Sequence, residues 1–355
     1  MKILHLLSSS KYSGAENMVC QIKEMLEYDK KIEIIYCSPD GEIKNILNKK
    51  KIKFKPLKQM SIMEIRRVMK EIKPQIVHAH DMKASFLAAL SCSEIPLVSH
   101  IHNNNFQSRK LSLKSLCYYY AAKKSKHIIW VSRTCYEGYI FHSKFKEKSS
   151  ILYNIINYKS LKREVEKDKN QYDYDVVYLG RLCEEKDPQR LMRVLEKLVL
   201  KRPKTKIAII GTGNLEKYVV EIIKNNEYLL NIDFLGFKSN PYKILSSAKV
   251  MIMTSKTEGT PMCVLEALSL GTPIVSTPVG GINDLIETNI NGFLSNDDEE
   301  LVSAIYDILE NKDKYKLLSK NCCDKISKIM DVEEYKNKLL DIYRDILIQK
   351  RFNNF

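Results

Sequence analysis

Short apolar runs recur through the first half of the chain: KILHLL (2–7), KIEIIYC (31–37), IVHAH (76–80), IPLVSHIH (95–102), HIIWVS (127–132) and SSILYN (149–154). Between them lie stretches of helical spacing at 15–28, 61–73, 83–92 and 110–125. Strand alternating with helix in this way is the pattern of a parallel, doubly wound sheet, so residues 1–160 predict one Rossmann-like unit. The next stretch, NYKSLKREVEKDKNQYDYD (157–175), is polar and charged, shows no apolar period, and reads as an interdomain linker. Alternation restarts with DVVYLG (175–180), KIAIIG (206–211), IDFLGF (232–237), AKVMIMTS (248–255) and TPIVST (272–277), which predicts a second Rossmann-like unit over 173–330. In the last segment, 331–355, Tyr335, Leu339, Leu340, Tyr343 and Ile346 fall at helical spacing, so an amphipathic helix should pack its apolar face back toward the first unit. The expected class is thus α/β, and two facing units of this kind leave a cleft at the strand ends, where ligands of such folds bind.

Composition agrees with two ordinary cores, at 355 residues with 44% hydrophobic and 28% charged positions. Nine cysteines, odd in number and without a CxxC pair, argue for a reducing compartment and against a zinc site. The opening MKILHLLSSS is too short in its apolar run for a signal peptide and reads as a first strand. No run of about 18 apolar residues occurs, so the expectation is a cytoplasmic protein, soluble or peripheral at the membrane. The net charge of +15 is unevenly placed: residues 1–155 hold 27 Lys and Arg against 13 Asp and Glu, and residues 156–355 hold 31 against 30. A field of that kind attracts nucleic acid, an anionic membrane surface or a phosphate-bearing acceptor, or it is a solvated lysine surface with no partner.

The stretch TSKTEGTPMCVLEALSLGTPIVSTPVGGINDLI (254–286) carries the chemistry. It leaves a strand at Thr254, passes Glu258, Gly259, Thr260 and Pro261, and enters a helix that carries Glu266. Amides of a first helical turn face phosphate oxygens, and a carboxylate accepts hydrogen bonds from sugar hydroxyls, which suits a sugar diphosphate. Val264, Leu265, Ala267 and Leu268 surround Glu266, so its carboxylate is expected to be buried and to need a partner. Four histidines form two H-x-H pairs, His78 with His80 and His100 with His102, and alternate strand residues share a face on which a metal can sit. No third or fourth ligand is evident nearby in sequence, and Asp297-Asp298 falls in a late polar turn rather than a DxD site.

Glu258 and Glu266, with seven residues between them in EGTPMCVLEALSLGTPIVSTPVGG, resemble the E-x7-E signature of family 4 retaining glycosyltransferases, of the kind that build bacterial capsule, exopolysaccharide or lipopolysaccharide. The resemblance implies the GT-B fold and assigns Glu266 to the donor ribose hydroxyls and Glu258 to a place beside the donor sugar. It also places the backbone at Gly259, Thr260, Pro261, Met262 and Cys263 along the diphosphate, with Pro261 offering only a carbonyl. Gly280-Gly281 matches the family's glycine pair. A second match, YLGRLCEEKDPQRL (178–191), puts Gly180, Arg181 and Lys186 at the diphosphate leaving group, although Asp187 stands where the family commonly has glycine.

By the same resemblance Gly211 in IIGTGN, and Phe237 with Lys238 after FLGF, lie by the nucleobase, expected to be uracil. Gly14 in SSSKYSGAEN matches the family's glycine loop, with Ser13 in place of its first glycine, and His102 matches a histidine that contacts the donor sugar. His78 and His80 are read as structural or acceptor-side. The implied reaction is metal-independent transfer of a hexose or N-acetylhexosamine from a UDP-sugar to a glycan or lipid-linked acceptor, with no resident cofactor, peripheral association with the inner membrane face and no nucleic-acid partner. A same-fold sugar-nucleotide epimerase or phosphorylase, and a non-catalytic sugar-nucleotide or nucleic-acid binder, remain as alternatives.

Overall fold

The computed structural model describes residues 1–27, 29, 31–92, 94–103 and 107–352. Seven strands belong to the first half: β1 (Lys2–Leu6), β2 (Glu33–Pro39), β3 (Lys53–Leu57), β4 (Ile76–Ala79), β5 (Leu97–Ile101), β6 (His127–Trp130) and β7 (Ser149–Ile151). Between them run α1 (Gly14–Met25), α2 (Ile43–Lys49), α3 (Ile62–Ile72), α4 (Met82–Ser91), α5 (Leu113–Lys124) and α6 (Arg133–Glu137). The second half opens with α7 (Tyr158–Lys167) and then adds strands β8 (Val176–Leu179), β9 (Ile207–Ile210), β10 (Ile232–Gly236), β11 (Val250–Met253), β12 (Ile274–Ser276) and β13 (Gly292–Leu294). Its further helices are α8 (Pro188–Lys201), α9 (Glu216–Asn225), α10 (Tyr242–Ser247), α11 (Met262–Ser269), α12 (Ile282–Leu285), α13 (Asp298–Glu310) and α14 (Lys312–Ile329), and the chain closes with α15 (Val332–Phe352).

These elements form two units, Met1–Ile155 with Asp331–Phe355, and Ile156–Met330. In the first, a parallel sheet runs β3-β2-β1-β4-β5-β6-β7; in the second, another runs β10-β9-β8-β11-β12-β13. Each strand order reverses beside its first strand, between β1 and β4 and between β8 and β11, and such a switch opens a crevice at the carboxyl ends of the strands. Both sheets are covered on both faces, which is why their strands read as near-continuous apolar runs. Leu4, Leu6, Val77, Ala79, Leu97 and Ile101 pack one face of the first sheet with Trp130 and Tyr118 in one core cluster. Val176, Tyr178, Ile207, Ile209, Val250 and Ile252 do the same in the second, against Leu191, Val194, Leu195 and Leu198 of α8.

Helix starts follow local chemistry. Ser61 accepts from the Glu64 amide at the start of α3, Asp81 from Ala84 at α4, and Asp187 from Arg190 at α8, where Pro188 occupies the first turn. The terminal helix α15 belongs to the first unit, with Tyr335, Leu339, Leu340, Tyr343 and Ile346 buried as its spacing predicts.

The stretch 157–175 corrects the linker reading. Its first part is α7, capped by Asn157, whose side chain accepts from Ser160, and Leu161 is buried while α7 packs on α10. One apolar residue on an otherwise charged ten-residue helix leaves almost no period to detect, although it is enough to seat the helix on a neighbour. Among the described residues no helix is long and apolar enough to cross a membrane.

Candidate active site

In the second unit the chemistry gathers around the switch between β8 and β11. The chain leaves β11 through Thr254, whose hydroxyl donates to the carbonyls of Lys186 and Asp187, both at 3.1 Å, tying the two loops together. Glu258 is buried, accepts a hydrogen bond from Ser255 Oγ at 2.6 Å, and forms an ion pair with Lys186. Burial pulls the Lys186 ammonium toward neutrality, but the Glu258 carboxylate beside it outweighs that pull and leaves its pKa above the ordinary 10.5, so the ammonium stays charged. Arg181 is exposed and makes no ion pair among the described residues.

The glycine pair fixes the height of this loop. A Cβ on Gly280, whose φ is +55°, would lie 1.9 Å from the Glu258 carbonyl oxygen, and one on Gly281 would lie 2.3 Å from that of Gly259. The Gly281 amide donates to the Gly259 carbonyl at 2.7 Å. Gly211, at φ +138°, plays the same part at β9: a Cβ there would meet the Gly180 carbonyl at 1.8 Å, so the Gly180 and Gly211 turns are packed backbone to backbone.

Helix α11 begins at Met262 with Pro261 before it, and the Val264 amide already turns back to the Pro261 carbonyl at 3.1 Å. The amides of Met262 and Cys263 therefore precede the intrahelical ladder, beside buried Thr260. Glu258 lies outside the cap of this helix. Glu266 is buried within α11, and the partner its burial demands is Tyr242, whose hydroxyl donates to Glu266 Oε1 at 3.1 Å. Phe237 and Lys238 stand exposed after β10.

Asp187, where the resemblance expects glycine, has φ +49° and ψ +61°, the left-handed conformation a glycine adopts freely. Aspartate tolerates it, and here its side chain caps α8 by accepting from the Arg190 amide at 3.3 Å. The Asp297-Asp298 pair is structural: Asp297 caps α13, and Asp298 pairs with Arg190 at 2.6 Å.

In the first unit Gly14 is the first residue of α1, and Ser13, in place of a glycine, donates through its amide and hydroxyl to Glu16 at 3.1 and 2.5 Å. His102 lies just past β5, half-buried. The two H-x-H pairs, beside which the sequence shows no third or fourth ligand, gain His5 through the fold. β1, β4 and β5 are neighbours, His5 is in register with His78, and five imidazoles, His5, His78, His80, His100 and His102, share one face. Burial pushes His5 down to about 3 and, against a hydrogen bond with Asn154, His102 to about 3 as well; burial first and the neighbouring imidazoles second hold His78, His80 and His100 well below 6.5, so near neutrality these rings are uncharged.

The structure thus brings Glu258, Lys186 and the start of α11 together in the second unit and sets His102 among histidines in the first. Ser255 and Tyr242, which hold the two glutamates, and His5, which joins the imidazoles, escape sequence reasoning. Ser255 lies three residues before Glu258 and is the one of these with a local sequence signal.

A doubly wound pair of parallel sheets with a buried E-x7-E at the second switch point defines a glycosyltransferase of the GT-B fold, and the chain belongs to this family. The family model "Glycosyltransferase Family 4" matches residues 12–160, and "Glycosyl transferases group 1" matches residues 160–323. Among individual proteins, the chain is 25% identical to an Escherichia coli UDP-Gal:alpha-D-GlcNAc-diphosphoundecaprenol alpha-1,3-galactosyltransferase, over 99% of this chain and 98% of that one. Its fold is shared with Anabaena HepE, solved in complex with UDP-glucose, at a TM-score of 0.83 and 21% identity over 97% of this chain and all of that one (100%). It is shared also with WaaB, a lipopolysaccharide outer core galactosyltransferase, at a TM-score of 0.67 and 19% identity over 99% and 100% of the two chains. As a glycosyltransferase the protein is an enzyme, which removes the non-catalytic alternative.

Proposed function

We propose that the protein is a retaining glycosyltransferase that moves a hexose or N-acetylhexosamine from a UDP-sugar to a glycan or lipid-linked acceptor in the synthesis of a cell-surface polysaccharide. The observation that carries this is the pair of buried carboxylates around the start of α11, Glu258 on Lys186 and Ser255, and Glu266 on Tyr242. Glu266 takes the ribose hydroxyls and Glu258 stands beside the donor sugar, while the Met262 and Cys263 amides, Arg181 and Lys186 meet the diphosphate. Phe237, Lys238 and the Gly211 turn serve the base, Gly14 lets backbone approach the donor phosphate or acceptor, and His102 serves the sugar.

In the reaction the bond from the anomeric carbon to the phosphate oxygen breaks, the acceptor oxygen bonds to that carbon on the same face, and the acceptor proton passes to the departing phosphate oxygen. Arg181, Lys186 and the helix amides stabilise the charge that develops, the work a divalent metal does elsewhere. The E. coli relative's lipid-diphosphate acceptor and the net charge of +14 on residues 1–155 favour an acceptor at an anionic membrane surface, held peripherally and released by salt.

The test is transfer from UDP-galactose, UDP-glucose and UDP-N-acetylglucosamine to a diphosphate-linked lipid acceptor in the presence of chelator, with the anomeric configuration of the product read by NMR. An α-linked product from an α-linked donor supports the reading. Inversion, dependence on added metal, or hydrolysis without acceptor would sink it.

A further inference from the structure

Five of the seven histidines, His5, His78, His80, His100 and His102, cluster on the face of the first sheet opposite Leu4, Leu6, Val77 and Ala79, and His127 of β6 lies on the same face outside the cluster. Their rings form a continuous plate: His78 and His80 are stacked at 4.3 Å between centroids, His100 and His102 stand at 4.2 Å, and His5 lies 4.9 and 5.1 Å from His78 and His80. Four of the five are fully buried. Burying imidazole nitrogens without partners is costly, and apolar side chains of similar size fill such space without that cost. Yet both ring nitrogens of His100 are buried with no hydrogen-bond partner among the described residues. Apart from His102, that donor set is unexplained by packing and unused by the transfer reaction.

We propose that His80, His100 and His102 form a binding site for a divalent transition-metal ion of the class that imidazole prefers, Zn²⁺ foremost. One ligand atom from each lies within 4.8 Å of the others. His80 Nδ1 and His102 Nε2 are 3.0 Å apart, near the ~3.3 Å that separates two nitrogens on a tetrahedral zinc. The second nitrogen of His80 is placed as a metal-bound imidazole requires: with Nδ1 on the ion, Nε2–H donates to His5 Nδ1 at 2.8 Å, which fixes the tautomer and the ring plane.

A second trio, His5, His78 and His80, shares His80. There His78 Nδ1 is engaged with the Tyr343 hydroxyl at 2.6 Å and all three rings are fully buried, whereas His102 is half-buried at its strand end and gives the outer trio an approach. Three protein ligands with one position open toward solvent is the arrangement of an exchangeable site rather than a closed structural one. Resting on the role proposed for His102, an ion bound there withdraws that histidine from the donor sugar, so Zn²⁺ at this site slows transfer.

Full-length protein stripped with chelator and titrated with Co²⁺ should take up one ion per chain, develop the visible bands of a tetrahedral site, and lose them to added Zn²⁺. His100→Phe, which keeps a ring in place, should weaken Co²⁺ binding about tenfold or more, and His5→Phe about 10- to 100-fold by freeing the His80 ring. His127→Phe, on the same face at β6 but outside both histidine trios, should bind like wild type. Trp130 fluorescence and thermal midpoints report whether each variant folds. Absence of tetrahedral bands in wild type, or bands unchanged in both His100→Phe and His5→Phe, overturns the site. Binding without slower transfer would overturn the inhibitory consequence alone, and an inactive transferase that still binds Co²⁺ would count against the reaction proposed above but not against the metal site.

Discussion

The two units share one architecture and use opposite chemistry at its switch point. All seven histidines lie within residues 1–155, whose net charge is +14, while residues 156–355 contain no histidine and are nearly neutral. At β8 and β11 the buried polar groups are carboxylates, each given a partner: Lys186 and Ser255 for Glu258, Tyr242 for Glu266. At β1, β4 and β5 they are imidazoles, kept tolerable by staying neutral. One scaffold therefore accommodates buried polarity in two ways. The second unit has no histidine to protonate in mild acid, whereas neutrality of its buried imidazoles leaves the first exposed to it.

The largest expected effect follows from that contrast. The unfolded chain takes up protons on these histidines near pH 6.5 while the folded unit does not, so their stability contribution is full above 6.5 and is lost as pH falls below it. His5, whose folded pKa is about 3, removes about 2 kcal/mol at pH 5, and the other plate histidines act in the same direction. Trp130, the single tryptophan, is buried in the first unit, so its fluorescence should report unfolding in mild acid while amides of the second unit stay protected from exchange. Loss of protection in the second unit first would break the comparison.

Lys186→Met should cost the second unit about 3 kcal/mol by leaving Glu258 buried beside Ser255 alone, read as a lower urea midpoint with the Trp130 transition unmoved. In wild type the Lys186 contribution to this pair should persist as the solution is made alkaline and be lost only as pH rises beyond 10.5, because the Lys186 pKa is raised. Gly280→Ala adds left-handed strain to a contact of 1.9 Å with the Glu258 carbonyl, for about 2 kcal/mol or more and a raised KM for donor. Smallest is the capping residue of α8. Asp187→Ala should cost about 1 kcal/mol, while Asp187→Gly, which trades the cap for freedom at φ +49°, should fall within a few tenths.

Both doubly wound sheets were legible in the sequence because strands buried on two faces announce themselves as apolar runs and helices as 3.6-residue periods. The E-x7-E segment was legible as well, since Glu266 is set among apolar neighbours that force its burial. What escaped depends on which strands become neighbours. His5 is more than 70 residues from His78, and only the β1-β4-β5 order makes them adjacent. Lys186 read as a cation for the diphosphate, and its pairing with Glu258 follows from the β8–β11 adjacency rather than from any local spacing. Tyr242 meets Glu266 because α10 packs on α11, and α7 was missed because a single buried leucine carries no period.

The central claim, that the buried carboxylates of the second unit hold a nucleotide-sugar donor without metal, is tested most directly by calorimetric titration of the full chain with UDP and GDP in chelator, wild type beside Glu266→Ala. UDP should bind in preference to GDP, with a loss of about tenfold or more when the ribose-facing carboxylate is removed. Equal binding of UDP by wild type and variant, or no binding of either nucleotide by wild type, would contradict it.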